Sequence, residues 1–276
     1  TPNNSESLHL NSNYFKGSYR QFKPIYVSRF LKRMIWNQTD KIILSSATIP
    51  FRKNISKWVK RLGLEDKGYS FHKVPMTFPK EHRPILLETM GGKMTRKCEE
   101  QNWNKNVRTI KKILKRHKSE KGVIHTQSYR RAKRLYHDLK HSFSVFLHDK
   151  QEIDGDVIQE WIKSRKRVLL SPAISEGVDL KDDLCRFQIL LKVPYPSIGD
   201  SRVKYMLNEL IMWNWYFSET TKDIVQMYGR AVRSKEDYAY FYVIDGSFRD
   251  ILKKGYFPSW FKEAIINKKK GIERFV

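Results

Sequence analysis

The chain has 276 residues, 40% of them hydrophobic, which is enough to bury the core of one large domain, or of one domain and a fragment. Lys and Arg number 54 against 29 Asp and Glu, a formal net charge of +25 that exceeds what solubility requires and points to a polyanionic partner. Cys98 and Cys185 lie far apart without Cys-x-x-Cys spacing, which excludes a disulfide framework and a zinc site, and no run approaches the ~18 apolar residues of a membrane span. Such a chain reads as soluble and intracellular.

Nucleic acid fits that charge better than a membrane surface, because the basic residues are spread along the whole chain among 7 Trp, 14 Tyr and 15 Phe. The polar start Thr1-Pro2-Asn3-Asn4-Ser5 has neither a methionine nor a signal-peptide pattern, and is compatible with further sequence upstream.

Residues 1 to about 22, rich in Asn, Ser and Tyr and without periodicity, read as a loop. Ile25, Val27, Phe30, Leu31, Met34 and Ile35 then mark an amphipathic helix, followed by an apolar strand Ile42-Ile43-Leu44 and a polar turn Ser45-Ser46-Ala47-Thr48. A helix is predicted over roughly 51–62, ending at Gly63, and the Gly- and Pro-punctuated stretch 64–100 reads as a crossover between lobes. Beyond it, short apolar strands alternate with helices. The strands are 123–124, 144–147, 168–170, 187–191 and 240–244, and the helices lie near 102–117, 128–140, 155–164, 201–217, 220–232 and 259–268. That alternation predicts an α/β fold, a parallel sheet covered by helices, with its chemistry in the loops at the carboxyl ends of the strands.

Three loops stand out. Ser46-Ala47-Thr48 sets two hydroxyls around a small residue, a pattern that also serves as an ordinary helix N-cap. In Ser171-Pro172-Ala173-Ile174-Ser175-Glu176-Gly177-Val178-Asp179-Leu180, Gly177 lets backbone N–H groups approach a phosphate or ribose. Glu176 and Asp179 there can take a sugar hydroxyl, a water or an arginine, or stand as solvated surface acids. In Gln226-Met227-Tyr228-Gly229-Arg230-Ala231-Val232-Arg233 the two arginines are three apart, hence expected on one helix face with Gln226 a turn earlier. Two guanidinium forks so placed can converge on the oxygens of a transferring phosphoryl group, and Gly229, which costs a helix up to ~1 kcal/mol relative to Ala, implies close approach of another group to the backbone.

The order of these three loops resembles motifs III, V and VI of superfamily-2 helicases. Lys192-Val193-Pro194-Tyr195-Pro196-Ser197 and Trp215-Tyr216 ahead of the last narrow the resemblance to the XPD/DinG branch. It runs from about residue 23 to 265. The resemblance implies residues 1–65 as the closing piece of motor domain 1, 66–100 as a crossover, and 101–276 as a RecA-like motor domain 2. It implies that Ser46 and Thr48 couple nucleotide state to the grip on DNA, and that Thr126, Gln127 and Ser128 in motif IV, with Ser171, touch the nucleic-acid backbone. Glu176, Gly177, Asp179 and Gly229 would line an inter-lobe ATP cleft, with Gln226, Arg230 and Arg233 as its catalytic complement. The implied activity is ATP-dependent translocation on single-stranded DNA, 5′ to 3′.

The departures are equally specific. Gly91-Gly92-Lys93-Met94-Thr95 fails as a Walker A loop, since position 87 is Leu and Lys93 is followed by Met, and Ile244-Asp245-Gly246 offers a single acid where Walker B needs two. The clustered cysteines of the family's iron–sulfur cluster are absent, so no cluster is expected in this chain. ATP and Mg²⁺ would be held mainly by a separate ATP-binding RecA-like lobe, encoded upstream or on another chain, and this chain alone is expected to lack ATPase activity. A non-hydrolysing nucleic-acid-binding module derived from such a motor is the alternative. His137 and His141 have i, i+4 spacing but no third ligand, so no metal site is expected. Lys163-Ser164-Arg165-Lys166-Arg167 and Lys268-Lys269-Lys270 read either as solvated faces or as phosphate contacts, and Trp213, Trp215 and Tyr216 either as base-stacking or as packing residues.

Overall fold

The computed structural model describes residues 24–46, 48, 55–149, 154–172 and 180–266. Its centre is a seven-stranded sheet in which every pairing is parallel, in the order β3-β4-β2-β5-β6-β1-β7. The strands are β1 (Ile85–Leu87), β2 (Gly122–His125), β3 (Val145–Leu147), β4 (Val168–Ser171), β5 (Phe187–Leu190), β6 (Tyr240–Val243) and β7 (Ile265–Ile266). β2, β4 and β5 are buried along their whole length and are mostly apolar, as expected of strands covered on both faces, with His125, Ser171 and Gln188 as their polar members.

Two of the seven strands were absent from the sequence expectation, and both lie at one end of the sheet. Ile85–Leu87 sits inside the stretch read as a crossover, yet pairs with β6 in the register Ile85↔Phe241 and with β7 in the register Ile85↔Ile265. The helix expected over 259–268 is correspondingly shorter: it stops at Glu263, and Ile265–Ile266 turns into the outermost strand.

The helices of the sheet region are α3 (Glu99–Arg116), α4 (Tyr129–Leu139), α5 (Asp154–Lys163), α6 (Ser201–Asn208), α7 (Trp213–Tyr228), α8 (Phe248–Lys253) and α9 (Ser259–Glu263). One apolar cluster joins α3 and α4 to the sheet through Trp103, Ile110, Ile124, Leu135, Phe187 and Ile189. A second packs α7, α8 and α9 around Ile85, Ile224, Phe241, Phe248 and Phe261.

The segment before the sheet contains α1 (Ser28–Leu31), a π-helical turn over Lys32–Trp36, and α2 (Ile55–Leu62), which ends before Gly63 as expected. Trp36 anchors it: the ring is buried and its indole N–H donates to Leu62 O at 2.6 Å. The expected apolar face of this segment is turned outward, with Phe30 48%, Met34 65% and Ile35 45% exposed. The strand expected at Ile42-Ile43-Leu44 does not form, and Ile43 is 95% exposed. No strand among the described residues partners it, and an apolar tripeptide becomes a strand only when a neighbouring strand takes up its backbone hydrogen bonds.

Candidate nucleotide and nucleic-acid site

In a parallel sheet all carboxyl ends share one edge, and the loops after β2 and β4 emerge there, whereas the turn after α7 precedes β6 and is tied to the entry of β5 through Arg186. β2 ends at His125 and leads into Thr126-Gln127-Ser128. Thr126 is fully buried, its N–H donating to Ser171 O at 2.8 Å and its hydroxyl lying 3.0 Å from the same carbonyl. The Ser171 hydroxyl is likewise buried, 3.0 Å from His148 Nδ1. These two residues therefore bind β2's exit loop to β4's and turn their hydroxyls inward. Gln127 takes a left-handed φ of 61°, which swings its amide to within 3.7 Å of Met227 Sδ on α7. Ser128 caps α4, accepting the Arg131 N–H at 3.3 Å.

The last of the three loops departs from the sequence expectation. α7 stops at Tyr228, with Gly229 as its C-cap, so Arg230 and Arg233 lie in the turn beyond the helix and not on one helical face. Tertiary contacts end the helix. Gln188, a lone polar residue within β5, donates its amide to Tyr228 O at 3.3 Å and accepts from His125 Nε2 at 2.9 Å. Tyr228's hydroxyl donates to Arg83 O at 2.5 Å. Further on, the Arg233 N–H donates to Asp237 Oδ2 at 3.1 Å, and Asp237 Oδ1 pairs with Arg186 at 2.8 Å. Asp237's carboxylate thus serves a buried ion pair and a backbone turn that fixes where Arg233 leaves the chain.

Burial dominates the electrostatics beneath this turn. It lowers the pKa of His125 to about 4 despite the Gln188 hydrogen bond, and the nearby positive charge of Arg230 works in the same direction, so the ring is neutral at physiological pH. Gly229 is exposed, and a Cβ there would meet only ordinary contact with Val225 O at 3.4 Å. Nothing within the described chain requires glycine at that position, which leaves its backbone open to a group from outside.

Gln226, half-buried on the last turn of α7, donates its amide to Thr48 Oγ1 at 3.3 Å, while the Thr48 N–H donates to Ser46 Oγ at 3.2 Å. Motif III and motif VI, 178 positions apart, are thus in contact. Glu176, Gly177 and Asp179, like Lys268–Lys270, lie outside the described residues.

Two residues central to this edge escaped the sequence reading. One is Gln188, whose only signal was a single amide in the run Phe187-Gln188-Ile189-Leu190-Leu191. The other is Asp245, noted only as one acid too few for Walker B. Its buried carboxylate accepts the N–H groups of Met94 and Ser247, each at 2.8 Å, and of Val193 at 2.9 Å, tying the exits of β5 and β6 to the Gly91–Met94 turn. That turn is no phosphate loop. Gly92, at φ 100°, packs so closely on Gly246 that a Cβ on the latter would lie 3.1 Å from Gly92 C.

A sequence model described as the helicase C-terminal domain matches residues 110–264, more than half of the chain. The regulator of telomere elongation helicase 1 homolog of Aedes aegypti is 32% identical over 103 residues, 33% of this chain and 10% of that protein. The Caenorhabditis elegans homolog is 30% identical over 106 residues, 11% of its length. The ATP-dependent DNA helicase CHL1 of Vanderwaltozyma polyspora is 24% identical over 158 residues, 49% of this chain and 19% of the relative. These matches span only about a tenth to a fifth of the relatives' lengths. A solved XPD helicase superposes with a TM-score of 0.58 at 19% identity, covering 84% of this chain and 44% of the other, a likeness of fold. Together with the all-parallel RecA-like sheet and the order of the motifs, these matches show that the chain belongs to the helicase C-terminal domain family, as the C-terminal part of a superfamily-2 helicase of the XPD/DinG type.

Proposed function

We propose that this chain is the C-terminal motor half of an ATP-dependent DNA helicase, translocating 5′ to 3′ on single-stranded DNA once joined to a RecA-like lobe that supplies Walker A and Walker B. In this reading residues 1–65 close motor domain 1, 66–100 cross over, and 101–276 form motor domain 2. One observation carries it: Thr48 is held against Gln226, while the segment leading to it leaves Phe30, Met34, Ile35 and Ile43 uncovered. An exposed apolar surface on the segment that leads to Thr48 is what the rest of a second lobe would bury.

The residues present fit a nucleotide brought by that lobe. Gly229 offers open backbone, and Arg230 and Arg233 supply guanidinium groups from a turn anchored by Gln188 and Asp237. Gln226 and Thr48, with Ser46, relay the state of the cleft, and the resemblance assigns Glu176, Gly177 and Asp179 of motif V to the same nucleotide. Mg²⁺ would be held by acids of the other lobe. On the DNA side, Gln127 and Ser128 meet the strand, whereas Thr126 and Ser171 shape the loop from beneath.

The test is phosphate release, with and without single-stranded DNA, by this chain and by the full-length protein. The reading requires none from the chain and DNA-stimulated release from the full protein. Release by the chain that survives further purification refutes the division of labour. No release from the full protein favours the non-hydrolysing binding module.

A further inference from the structure

At the amino-terminal ends of β3 and β4, opposite the loops that leave β2 and β4, lies a groove of about 450 Å³. Its rim carries Lys111 and Lys115, one turn apart on α3, Lys118 just past that helix, and Arg167 at the entry to β4. Its floor is apolar, made of Leu114, Phe143 and Val168. No acid lines it, and none of the four cations makes an ion pair among the described residues. His117, the remaining ring in the wall, is already engaged by Glu120 and by Tyr242.

The neighbouring cleft on the same edge is different. It mixes Glu120, Asp182 and Asp183 with Lys121, Lys181 and Arg186, and two of these three cations are committed, Lys121 to the carbonyls of Trp161 and Ile162 and Arg186 to Asp183 and Asp237. A cluster of cations with no acid among them is therefore a property of the first groove and not of the edge as a whole.

We propose that this groove docks an acidic peptide segment of a partner protein, with an apolar side chain seated on Leu114, Phe143 and Val168 and flanking carboxylates on Lys111, Lys115, Lys118 and Arg167. A phosphate backbone would satisfy the rim but leave the floor uncovered, whereas a segment alternating acidic and apolar residues satisfies both. The position, at the strand ends opposite the loop that carries Gln127 and Ser128, leaves the site accessible while those residues meet DNA.

The experiment uses the full-length protein and a fluorescent peptide of alternating glutamate and phenylalanine, read by anisotropy. An all-glutamate peptide and a labelled oligothymidylate serve as comparison ligands. Saturable binding of the Glu/Phe peptide is expected, weakened about tenfold or more by Lys115→Glu/Lys118→Glu/Arg167→Glu. A control of equal charge change on other exposed faces, Lys204→Glu/Lys253→Glu/Lys262→Glu, should leave it within about twofold. Failure of the peptide to bind, equal weakening by both triple variants, or equal affinity for the all-glutamate peptide would each overturn the proposal. So would a groove variant that weakens oligothymidylate more than peptide, since the surface would then be a nucleic-acid contact.

Discussion

Replacing Asp245 isolates the joint that holds the motor edge together. Its carboxylate, 1% exposed, accepts three backbone N–H groups from three separate pieces of chain, while half-buried Lys192, which donates to Met94 O and whose pKa burial lowers, is partly compensated by the Asp245 charge. Hydrogen bonds to a charged group contribute roughly 1.5–3 kcal/mol each, offset by the cost of burying the carboxylate, so Asp245→Ala should lose about 4 kcal/mol. Asp245→Asn keeps one oxygen for Met94 and Ser247 but turns an amide donor toward the Val193 N–H, and should lose about 2 kcal/mol. In urea denaturation followed by circular dichroism, with a slope of ~2.5 kcal/mol/M, alanine should move the midpoint down by about 1.5 M and asparagine by about half that. An alanine loss below about 1 kcal/mol, or an asparagine variant as damaged as alanine, would refute the description of Asp245 as a three-way joint.

His125 gives a pH dependence of fixed sign. Its folded pKa of about 4 lies below the ordinary value of 6.5, so its contribution to stability is fully present above 6.5 and is lost as pH falls toward 4, by roughly 3 kcal/mol in total. His117, also pushed down by burial, adds in the same direction. His125→Asn should flatten, without abolishing, the fall in chemical stability across that window; an unchanged slope contradicts the assignment. Gly229→Ala should leave the urea midpoint within about 0.5 kcal/mol of the parent, because its Cβ meets nothing closer than 3.4 Å, yet impair turnover of the full motor. A destabilised variant would mean the glycine serves the fold. Binding of single-stranded DNA should weaken with salt by about 0.7 log units of affinity per log unit of salt for each phosphate neutralised, and a slope near zero would detach the +25 charge from nucleic acid.

Strands long enough to show as apolar runs were legible in the sequence, and so were α3, α4 and α5, whereas the break expected near 218–219 falls at 209–212 and α8 was not expected. Ile85–Leu87 was not: three residues after Pro84 carry no periodicity, and their strand character comes wholly from pairing with β6 and β7. Ile42–Leu44 shows the converse, an apolar run left unpaired among the described residues. Composition and order of the motif loops were readable, because chemistry dictates residue type. Their orientation was not. Nothing in the sequence says that the hydroxyls of Thr126 and Ser171 turn inward, or that Gln188 in β5 captures the last carbonyl of α7 and ends the helix before Arg230.

The most direct test of the motor reading is to measure ATP turnover and single-stranded DNA affinity on one variant, Arg233→Ala, in the full-length protein. Arg233 is exposed and leaves a turn anchored on Asp237, four residues after the open backbone of Gly229, and in the proposed cleft it would stabilise charge spread over a transferring phosphoryl group. An arginine in that role contributes ~10³–10⁵ in turnover, so the alanine variant should lose at least about a thousandfold while nucleotide-free DNA affinity changes by less than about twofold. Arg233→Lys should not restore activity, since a point charge on a flexible stem lacks the planar fork. Turnover preserved with DNA affinity lost would contradict the account and make Arg233 a phosphate-backbone contact.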